Sequence, residues 1–258
     1  MLWPLWNRAA EQRRADRLID DPMSKDLVEY MDYDFRSRFG RPSVFFPIRA
    51  RVCDDLISAW VRRQTQSVPV VISLGEGLDT QFWRLAEGPL RWFSVDLPES
   101  IGVRKQWLPD HDWVEYVSCS ALDSAWMEAI PANTRPFIVA SGLLMYFEPD
   151  QVRTLLTQVS ERWPGGEVFF DAITPWASRK SLAGWKVTPH YTAPPMPWGI
   201  TVDELPAFIE RIPGLEPVSV RHYGEVFPRR TRLYHWLGKI GPVRRKFAGS
   251  LAHARIVD

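Results

Sequence analysis

The sequence has few of the features that mark secreted or membrane-spanning proteins. Only two cysteines, Cys53 and Cys119, occur in 258 residues, and their separation fits neither a disulfide framework nor a zinc site. No apolar run is long enough to cross a bilayer. The apolar stretch from Met1 to Trp6 is shorter than the core of a signal peptide. We therefore expect a cytoplasmic protein that binds no metal.

The chain also lacks an excess of charge of either sign. Thirty-two Lys and Arg residues oppose 31 Asp and Glu residues, for a net charge of +1, so neither nucleic acid nor a membrane is expected as a partner. The basic run Arg244, Arg245 and Lys246 is interpreted as a solvated face. The hydrophobic fraction of 45% is ordinary for a globular protein, and the length suits one large α/β domain.

Apolar runs of strand length alternate with helical segments after residue 67. This order predicts βαβ units and a Rossmann-like, mainly parallel sheet of seven strands. The predicted strands are Val68–Leu74, Leu90–Leu97, Trp113–Cys119, Arg135–Ser141, Gly166–Ile173, Leu215–Tyr223 and Thr231–Gly238.

Helical patterns precede the first strand. Asp21-Pro22 is expected to end one helix and Ser24 to cap the next, and a further helix is expected over Ile48–Arg63. Residues 174–200 are rich in proline and aromatic residues and break the strand–helix alternation. The sequence thus predicts a helical cap over residues 1–66 and a core over residues 67–258, with an inserted lid at about 174–200.

A glycine-rich turn, in "VVISLGEGLDTQFWRL", links the first strand to the next helix. Ligands of open α/β sheets bind where strands end and helices begin, and Gly75 and Gly77 let backbone approach such a ligand. Asp79 is expected to cap the helix. Asp96 ends the second strand, at the spacing where a carboxylate accepts from two ribose hydroxyls.

The turn differs from a dinucleotide fingerprint. Thr80 stands where the third glycine would be, and Glu76 would repel a pyrophosphate. An acid inside the turn fits a positively charged ligand better, and S-adenosylmethionine carries a sulfonium, an ammonium and a ribose but no phosphate. A nicotinamide-dependent oxidoreductase is thereby disfavoured, whereas a plain structural turn, with Asp96 as a helix cap, stays the alternative.

Four segments carry a resemblance to a known family. "LGEGLDTQFWRL", "VDLPESIGVRKQWLP", "SGLLMYFEPDQVRTLL" and "PGGEVFFD" resemble the leucine carboxyl methyltransferase superfamily, and its bacterial branch with the tetracenomycin-type polyketide O-methyltransferases most of all. The likeness spans residues 15–175 or so. It implies the class I methyltransferase fold and S-adenosylmethionine as the cofactor.

The resemblance also implies site residues. Gly75, Gly77 and Asp79 would surround the methionine part, and Asp96, followed by Leu97, would bind the ribose. Arg51 matches the arginine that pairs with the methionine carboxylate, with Arg49 as its competitor.

Two positions depart from the pattern of the family. Ser120 stands where an acid often meets the adenine, which leaves Ser120 or Leu122 for that contact. Ser141 replaces a glutamate near the methionine amino group, and Glu76 is the candidate that compensates.

The acceptor side is less defined. A carboxylate acceptor needs no base, whereas a phenol or alcohol can require one. His190, Tyr191 and Asp171 are the candidate catalytic groups, with Tyr146 and His222 as further options. The expected function is O-methyl transfer to a hydroxyl or carboxyl group of a small molecule, such as one of secondary metabolism. The alternatives are methylation of a protein carboxyl terminus and a nucleotide binder of this fold without activity. The oligomeric state is left open.

Overall fold

The computed structural model describes residues 1–65 and 67–257, so residues 66 and 258, which the predicted boundaries include, lie outside it. Its strands are β1 Val70–Leu74, β2 Arg91–Asp96, β3 Val114–Ser118, β4 Phe137–Ala140, β5 Glu167–Ala172, β6 Lys186–Thr188, β7 Tyr191–Thr192, β8 Leu215–His222 and β9 Ser250–Ile256. Seven of them form one sheet in the order β3-β2-β1-β4-β5-β9-β8. Strands β1 to β5 are parallel, and β9 is antiparallel to both β5 and β8. The predicted seven-stranded, mainly parallel sheet is confirmed.

Helices cover both faces of this sheet, and α1 lies over the turn that follows β1. They are α1 Leu2–Glu11, α2 Pro22–Tyr30, α3 Phe35–Phe39, α4 Phe45–Val61, α5 Gln81–Leu85, α6 Pro98–Trp107, α7 Pro149–Arg162, α8 Pro175–Leu182, α9 Leu205–Glu210, α10 Tyr223–Val226, α11 Arg232–Gly238 and α12 Gly241–Phe247. No helix of the described residues combines the length and the apolar composition needed to cross a bilayer.

The core lies in two layers because successive strand residues point to opposite faces. On one face Ile72, Ile138 and Phe170 pack against α7. On the other face Val71 and Phe169 pack against α4. Burial on both faces explains why these strands are continuous apolar runs.

Three local predictions were wrong. The Asp21 side chain, not Ser24, caps α2, where it accepts the Ser24 N–H at 3.2 Å, and Pro22 takes the first helical position. Residues Thr231–Gly238 form helix α11 rather than a strand. The seventh strand is instead β9, whose sequence "SLAHARI" has small residues of low strand propensity.

The segment predicted as a lid contains α8 and the hairpin of β6 and β7. The hairpin turn packs on α3, where the Arg38 guanidinium donates to the His190 carbonyl at 2.6 Å. The Thr188 hydroxyl donates to the Arg38 carbonyl at 2.7 Å. These bonds connect the segment to the amino-terminal helices.

Candidate active site

The carboxyl ends of β1 to β5 meet at one edge of the sheet, because these strands are parallel. Most of the predicted site residues follow or end these strands and so lie along this edge: Gly75, Glu76, Gly77, Asp79, Asp96, Leu97, Ser120, Leu122, Ser141 and Asp171. A ligand at this edge can contact several strand ends at once.

The two glycines of the turn hold a backbone conformation that other residues rarely adopt. Gly75 has φ of 62° and Gly77 of 56°. A Cβ on Gly75 would lie 2.6 Å from Leu143 Cδ1, and one on Gly77 would lie 2.7 Å from Met1 Cγ. The turn therefore requires glycine at both positions, and Leu143 and Met1 cover it.

Asp96 is oriented by backbone on both sides. Its Oδ2 accepts the Gly77 N–H at 2.8 Å and its Oδ1 accepts the N–H of the exposed Leu97 at 2.8 Å. Each carboxylate oxygen has two acceptor lone pairs, so capacity remains for hydroxyl donors. The arrangement holds the carboxylate at the sheet edge and joins β1 to β2.

Glu76 faces away from the edge, contrary to the prediction that it meets the positive part of the cofactor. Its side chain is buried below the turn, with Oε1 3.0 Å from Arg104 Nη2 and Oε2 accepting from the Trp92 indole at 3.2 Å. Burial raises the pKa of Glu76, although Arg104 opposes the rise. Arg104 also donates to the carbonyls of Gly77 at 2.7 Å and of Asp79 at 2.8 Å. Sequence reasoning missed Arg104, since nothing local links it to a turn 27 residues earlier.

Asp79 connects the turn to the amino-terminal helix rather than capping α5. Thr80 occupies the cap position, whereas the Asp79 carboxylate lies 3.3 Å from Arg8 Nη1 and 2.9 Å from Arg84 Nη1. Burial alone would raise the pKa of Asp79, but Arg8 and Arg84 hold it well below its usual range. Arg8 also donates to the Leu78 carbonyl at 2.8 Å.

Helix α4 presents Arg49, not Arg51, to the site. Two residues turn a helix by about 200°, so the two arginines lie on opposite faces. Arg51 is half-exposed and pairs with Asp55 at 2.9 Å. The Arg49 guanidinium lies over Gly142, at 2.7–3.0 Å from where a Cβ would stand, and its Nη1 is 2.8 Å from Asp171 Oδ2. The geometry therefore favours Arg49 over Arg51 as the arginine that a ligand at this edge would meet, and the role of either arginine in cofactor binding stays a prediction.

Asp171 is buried and fully engaged. Besides the Arg49 pair, it accepts the Gly142 N–H and, at 3.3 Å, the Tyr223 hydroxyl. Burial and the neighbouring carboxylate raise the pKa of Tyr223 well above its usual value. An ion-paired carboxylate with these donors positions Arg49 and the Gly142 loop. It does not serve as the free base that the sequence suggested.

The remaining catalytic candidates divide between the hairpin and the end of β8. The His190 side chain is exposed, and the structure brings only its backbone into contacts with Arg38 and Thr188. The His222 ring accepts the Gly224 N–H at 3.1 Å and caps α10. Neither histidine is placed as a base for an acceptor at the sheet edge.

Two tyrosines do lie near the edge. Burial, with smaller effects of Tyr146 and Tyr33, raises the pKa of Tyr191 to about 12. Burial also raises the pKa of Tyr146, against the opposing effect of Arg49. Both phenols are therefore protonated at neutral pH, so neither is an efficient base there.

A cluster of aromatic rings adjoins Arg49 through Phe46. The Trp3 ring centroid lies 5.2 Å from that of Phe46 and 5.5 Å from that of Tyr191. The Arg49 guanidinium carbon lies 5.5 Å from the Phe46 centroid. These rings come from α1, α4 and the hairpin, and they form an apolar, aromatic boundary next to the sheet edge. Such a boundary suits a flat, apolar acceptor.

The two departures from the family pattern lie in loops after β3 and β4. The Ser120 hydroxyl accepts the Leu122 N–H at 3.2 Å and so shapes its own turn. Leu122 is half-buried, and Ser141 is half-buried directly before Gly142. The roles of all three residues in cofactor binding stay predictions.

The chain is similar in sequence to several known proteins. The family model described as leucine carboxyl methyltransferase matches residues 2–160. The tetracenomycin polyketide synthesis O-methyltransferase TcmP of Streptomyces glaucescens is 30% identical over 221 residues, which cover 83% of this chain and 78% of that protein. A proposed S-adenosyl-L-methionine-dependent methyltransferase of Parafrankia is 26% identical, and the match covers 60% of this chain and 56% of that protein.

Solved structures show the same fold at low identity. A proposed methyltransferase from Thermobifida fusca YX superimposes with a TM-score of 0.60 at 13% identity, and the match covers 100% of this chain and 95% of that chain. The N-methyltransferase NodS from Bradyrhizobium japonicum WM9 gives a TM-score of 0.50 at 16% identity, covering 82% of this chain and 98% of that chain. The predicted class I methyltransferase fold is confirmed.

Proposed function

The chain belongs to the leucine carboxyl methyltransferase family and is an S-adenosylmethionine-dependent methyltransferase; we propose that it methylates an acidic oxygen, a carboxylate or an ionised phenol, of a small aromatic acceptor. The relative TcmP is named as a polyketide synthesis O-methyltransferase, which supports oxygen as the acceptor atom. The aromatic boundary of Trp3, Phe46 and Tyr191 supports a flat, apolar acceptor body.

The residues at the sheet edge fit the cofactor. Asp96 offers oriented carboxylate oxygens to ribose hydroxyls. Gly75 and Gly77 bring backbone to the edge without side chains. Arg49 donates to Asp171 through Nη1 at 2.8 Å, and its Nη2 lies over Gly142 at the sheet edge. That second nitrogen is the natural donor to the methionine carboxylate, since a guanidinium presents five donors in a planar fork.

One observation carries the choice of acceptor. Of the candidate bases, Asp171 is held by Arg49, Tyr223 and Gly142, and the pKa of Tyr191 is raised to about 12. An aliphatic alcohol would require such a base, whereas a carboxylate or an acidic phenol reaches the site already ionised. When bound, the cofactor would supply a methyl group on a sulfonium sulfur: an ionised acceptor oxygen would bond to the methyl carbon while the carbon–sulfur bond breaks, and S-adenosylhomocysteine would leave. The aromatic boundary of Trp3, Phe46 and Tyr191 would orient the acceptor and exclude water.

The first experiment tests the cofactor site alone. S-Adenosylhomocysteine at a hundred times its dissociation constant adds ~2.7 kcal/mol of stability, which raises the melting temperature of a domain of this size by about 5–10 °C. We expect this shift for the wild type and its loss in Asp96→Ala, with NAD producing no shift in either. A shift with NAD, or none with S-adenosylhomocysteine, would contradict the cofactor assignment.

The second experiment tests the acceptor. The protein is incubated with methyl-labelled cofactor and with matched aromatic carboxylic acids, phenols and benzylic alcohols. Label in an alkali-labile ester or in a phenol ether, with none in the alcohol ether, is the expected result. A parallel incubation contains peptides with a free carboxyl terminus, and label in such a peptide would favour the alternative within the family. Equal transfer to alcohols would overturn the argument from the absent base.

A further inference from the structure

The positive charge of this chain is concentrated in one insertion. Residues 223–249 connect β8 to β9 and contain α10, α11 and α12. Residues 223–249 have seven Arg and Lys residues and one acid, Glu225, for a net charge of +6. Since the whole chain has a net charge of +1, the rest carries −5. The near-neutral average therefore conceals a strongly basic surface.

Large apolar side chains project from the same insertion. Leu233 is 68% exposed, Trp236 66% and Ile240 52%, and Phe247 in α12 is also exposed. The spacing of Leu233, Trp236 and Ile240 places them on one side of α11 and its carboxyl end. Single exposed apolar residues are ordinary, but a group of this size on one side is not. We call these four residues with Arg232, Lys239 and Lys246 the insertion surface.

The cations of the insertion surface lie beside its aromatic rings. Lys239 Nζ is 4.2 Å from the Trp236 ring centroid, and Lys246 Nζ is 5.1 Å from that of Phe247. Arg232, Lys239 and Lys246 form no salt bridge with any acid of the described residues, whereas the neighbouring Arg244 pairs with Asp203 at 2.8 Å. The charge of the surface is thus largely uncompensated.

A cavity adjoins this surface. It has a volume of about 250 Å³ and is lined in part by Trp176, Arg179, Arg245 and Lys246. The Trp176 ring lies 5.0 Å from that of Phe247, so the cavity and the insertion surface are continuous. Arg245 lies 3.9 Å from Asp203, whereas Arg179 and Lys246 form no salt bridge with an acid of the described residues, so these two cations provide donors for a phosphate group. The exposed apolar side chains beside it would contact whatever carries that phosphate.

We propose that the insertion surface binds an anionic phospholipid bilayer, with Leu233, Trp236 and Ile240 entering the interface and the cations contacting lipid phosphates. The apolar side chains protrude from a short helix instead of lining a groove, and Lys and Arg flank them. Protruding apolar residues with flanking cations characterise interfacial helices at anionic membranes. An acidic protein would match the charge but offers no general reason for such protruding aliphatic side chains. The proposal revises the expectation, drawn from net charge, that the chain has no membrane partner.

The position of the insertion surface relates membrane binding to the proposed methyl transfer. The insertion starts at Tyr223, whose hydroxyl donates to Asp171 at 3.3 Å. Tyr234 of α11 packs on Phe45 of α4 with ring centroids 4.7 Å apart. The insertion thus adjoins the acceptor side of the sheet edge. A bilayer bound here lies next to the acceptor site and concentrates apolar acceptors there. The binding itself does not depend on which oxygen is methylated.

Cosedimentation of the full chain with vesicles tests this proposal. One set contains phosphatidylglycerol and phosphatidylcholine in equal parts, and the other phosphatidylcholine alone. We expect the chain to bind the mixed vesicles at least tenfold more tightly than those of phosphatidylcholine alone. The affinity for the mixed vesicles should fall steeply as the salt concentration rises from about 0.05 to about 0.5 M, because salt screens the attraction between exposed charges. Equal binding to both sets, or to neither, would overturn the proposal.

Two variants and a matched control identify the surface. The triple variant Arg232→Glu, Lys239→Glu, Lys246→Glu should lose at least tenfold in affinity, and Leu233→Ser with Trp236→Ser should lose several-fold. The control Arg62→Glu, Arg153→Glu, Arg211→Glu changes the same charge at exposed positions elsewhere and should bind as the wild type. Loss in the control to the same extent would refute the assignment. Melting temperatures establish that each variant is folded.

Competition with soluble anions distinguishes a bilayer partner from other negatively charged partners. Inorganic phosphate and polyglutamate are added at the phosphate or carboxylate concentration of the vesicles. If the bilayer is the partner, neither displaces the chain by more than about twofold. Full displacement by polyglutamate, with no effect of Leu233→Ser and Trp236→Ser, would identify an acidic protein surface instead. Full displacement by phosphate would reduce the site to a small-anion cavity. Both outcomes contradict the proposal.

Discussion

Arg49 lies directly over Gly142, and its guanidinium is 2.8 Å from the Asp171 carboxylate. This relationship links α4, the loop after β4 and the end of β5 at one place on the sheet edge. It also exists only because residue 142 lacks a side chain, since Gly142 has φ of 72° and a Cβ there would stand 2.7 Å from Arg49 Nη1.

Gly142→Ala should therefore displace Arg49 and weaken cofactor binding. We expect at least a tenfold rise in the dissociation constant of S-adenosylhomocysteine, measured by calorimetry, and a loss of about 1–3 kcal/mol from backbone strain. Gly102→Ala is the matched control, because a Cβ there meets nothing within 4 Å. It lies inside α6 and should stabilise the protein by about 0.5–1 kcal/mol without altering binding. Unchanged affinity in Gly142→Ala would show that Arg49 does not contact the cofactor.

The choice between Arg49 and Arg51 has an equally direct test. Arg49→Ala leaves Asp171 buried without its ion-pair partner, which costs about 3–5 kcal/mol, and it should abolish the stabilisation by S-adenosylhomocysteine. Arg51→Ala removes an exposed pair with Asp55 and a hydrogen bond to the Leu18 carbonyl at 3.1 Å, which together contribute about 1 kcal/mol. Thermal melts with and without the ligand compare the two. A retained ligand shift in Arg49→Ala and a lost one in Arg51→Ala would restore the assignment made from the sequence.

Much of the sheet could be predicted because its signals are local. The continuous apolar runs of β1, β4 and β5 and the glycine turn after β1 each appear within a few residues. The parallel order then places Asp96 and Ser141 at the edge without further information. Strand β9 was missed, since its partners β5 and β8 determine it and its own sequence has low strand propensity.

The side-chain details of the site depend on distant contacts instead. Glu76 was expected to face the ligand, but Arg104, in a helix after the next strand, holds it below the turn. Asp79 was expected to cap α5, but Arg8 from α1 pairs with it. In both cases a buried arginine from far along the chain determines where the acid points. No local pattern encodes such a partner.

Tyr191 offers a test of the argument that the site has no base. Its pKa is raised to about 12, first by burial and then by Tyr146 and Tyr33. Because the pKa is higher in the folded state than its unfolded value of about 10, the protonated phenol adds to the free energy of unfolding below pH 10. That contribution is lost as the pH rises toward 12. The Tyr191→Phe variant should transfer methyl groups at pH 7–9 at a rate within about threefold of the wild type. Its melting temperature should fall less than that of the wild type between about pH 9 and pH 11. Tyr30→Phe, at an exposed position, is the control. A hundredfold fall in rate, on the order of the smallest general-base contribution, would make Tyr191 the base after all.

The last prediction concerns how α1 is held over the glycine turn. Arg8 is buried between Asp21 and Asp79, at 3.1 and 3.3 Å, and Met1 at the start of this helical segment lies against Gly77. Arg8→Met leaves the buried Asp21 and the partly buried Asp79 with Arg84 as their remaining cationic partner, so unfolding should become easier by about 3 kcal/mol. Because the lost contacts belong to α1, hydrogen exchange should accelerate most in residues 2–11 and least in β1 and β4. Arg14→Met removes an exposed pair with Asp16 and should change stability by less than about 0.5 kcal/mol, with no change in exchange. Equal acceleration across the sheet in Arg8→Met would mean that Arg8 supports the whole core rather than the cover of the turn.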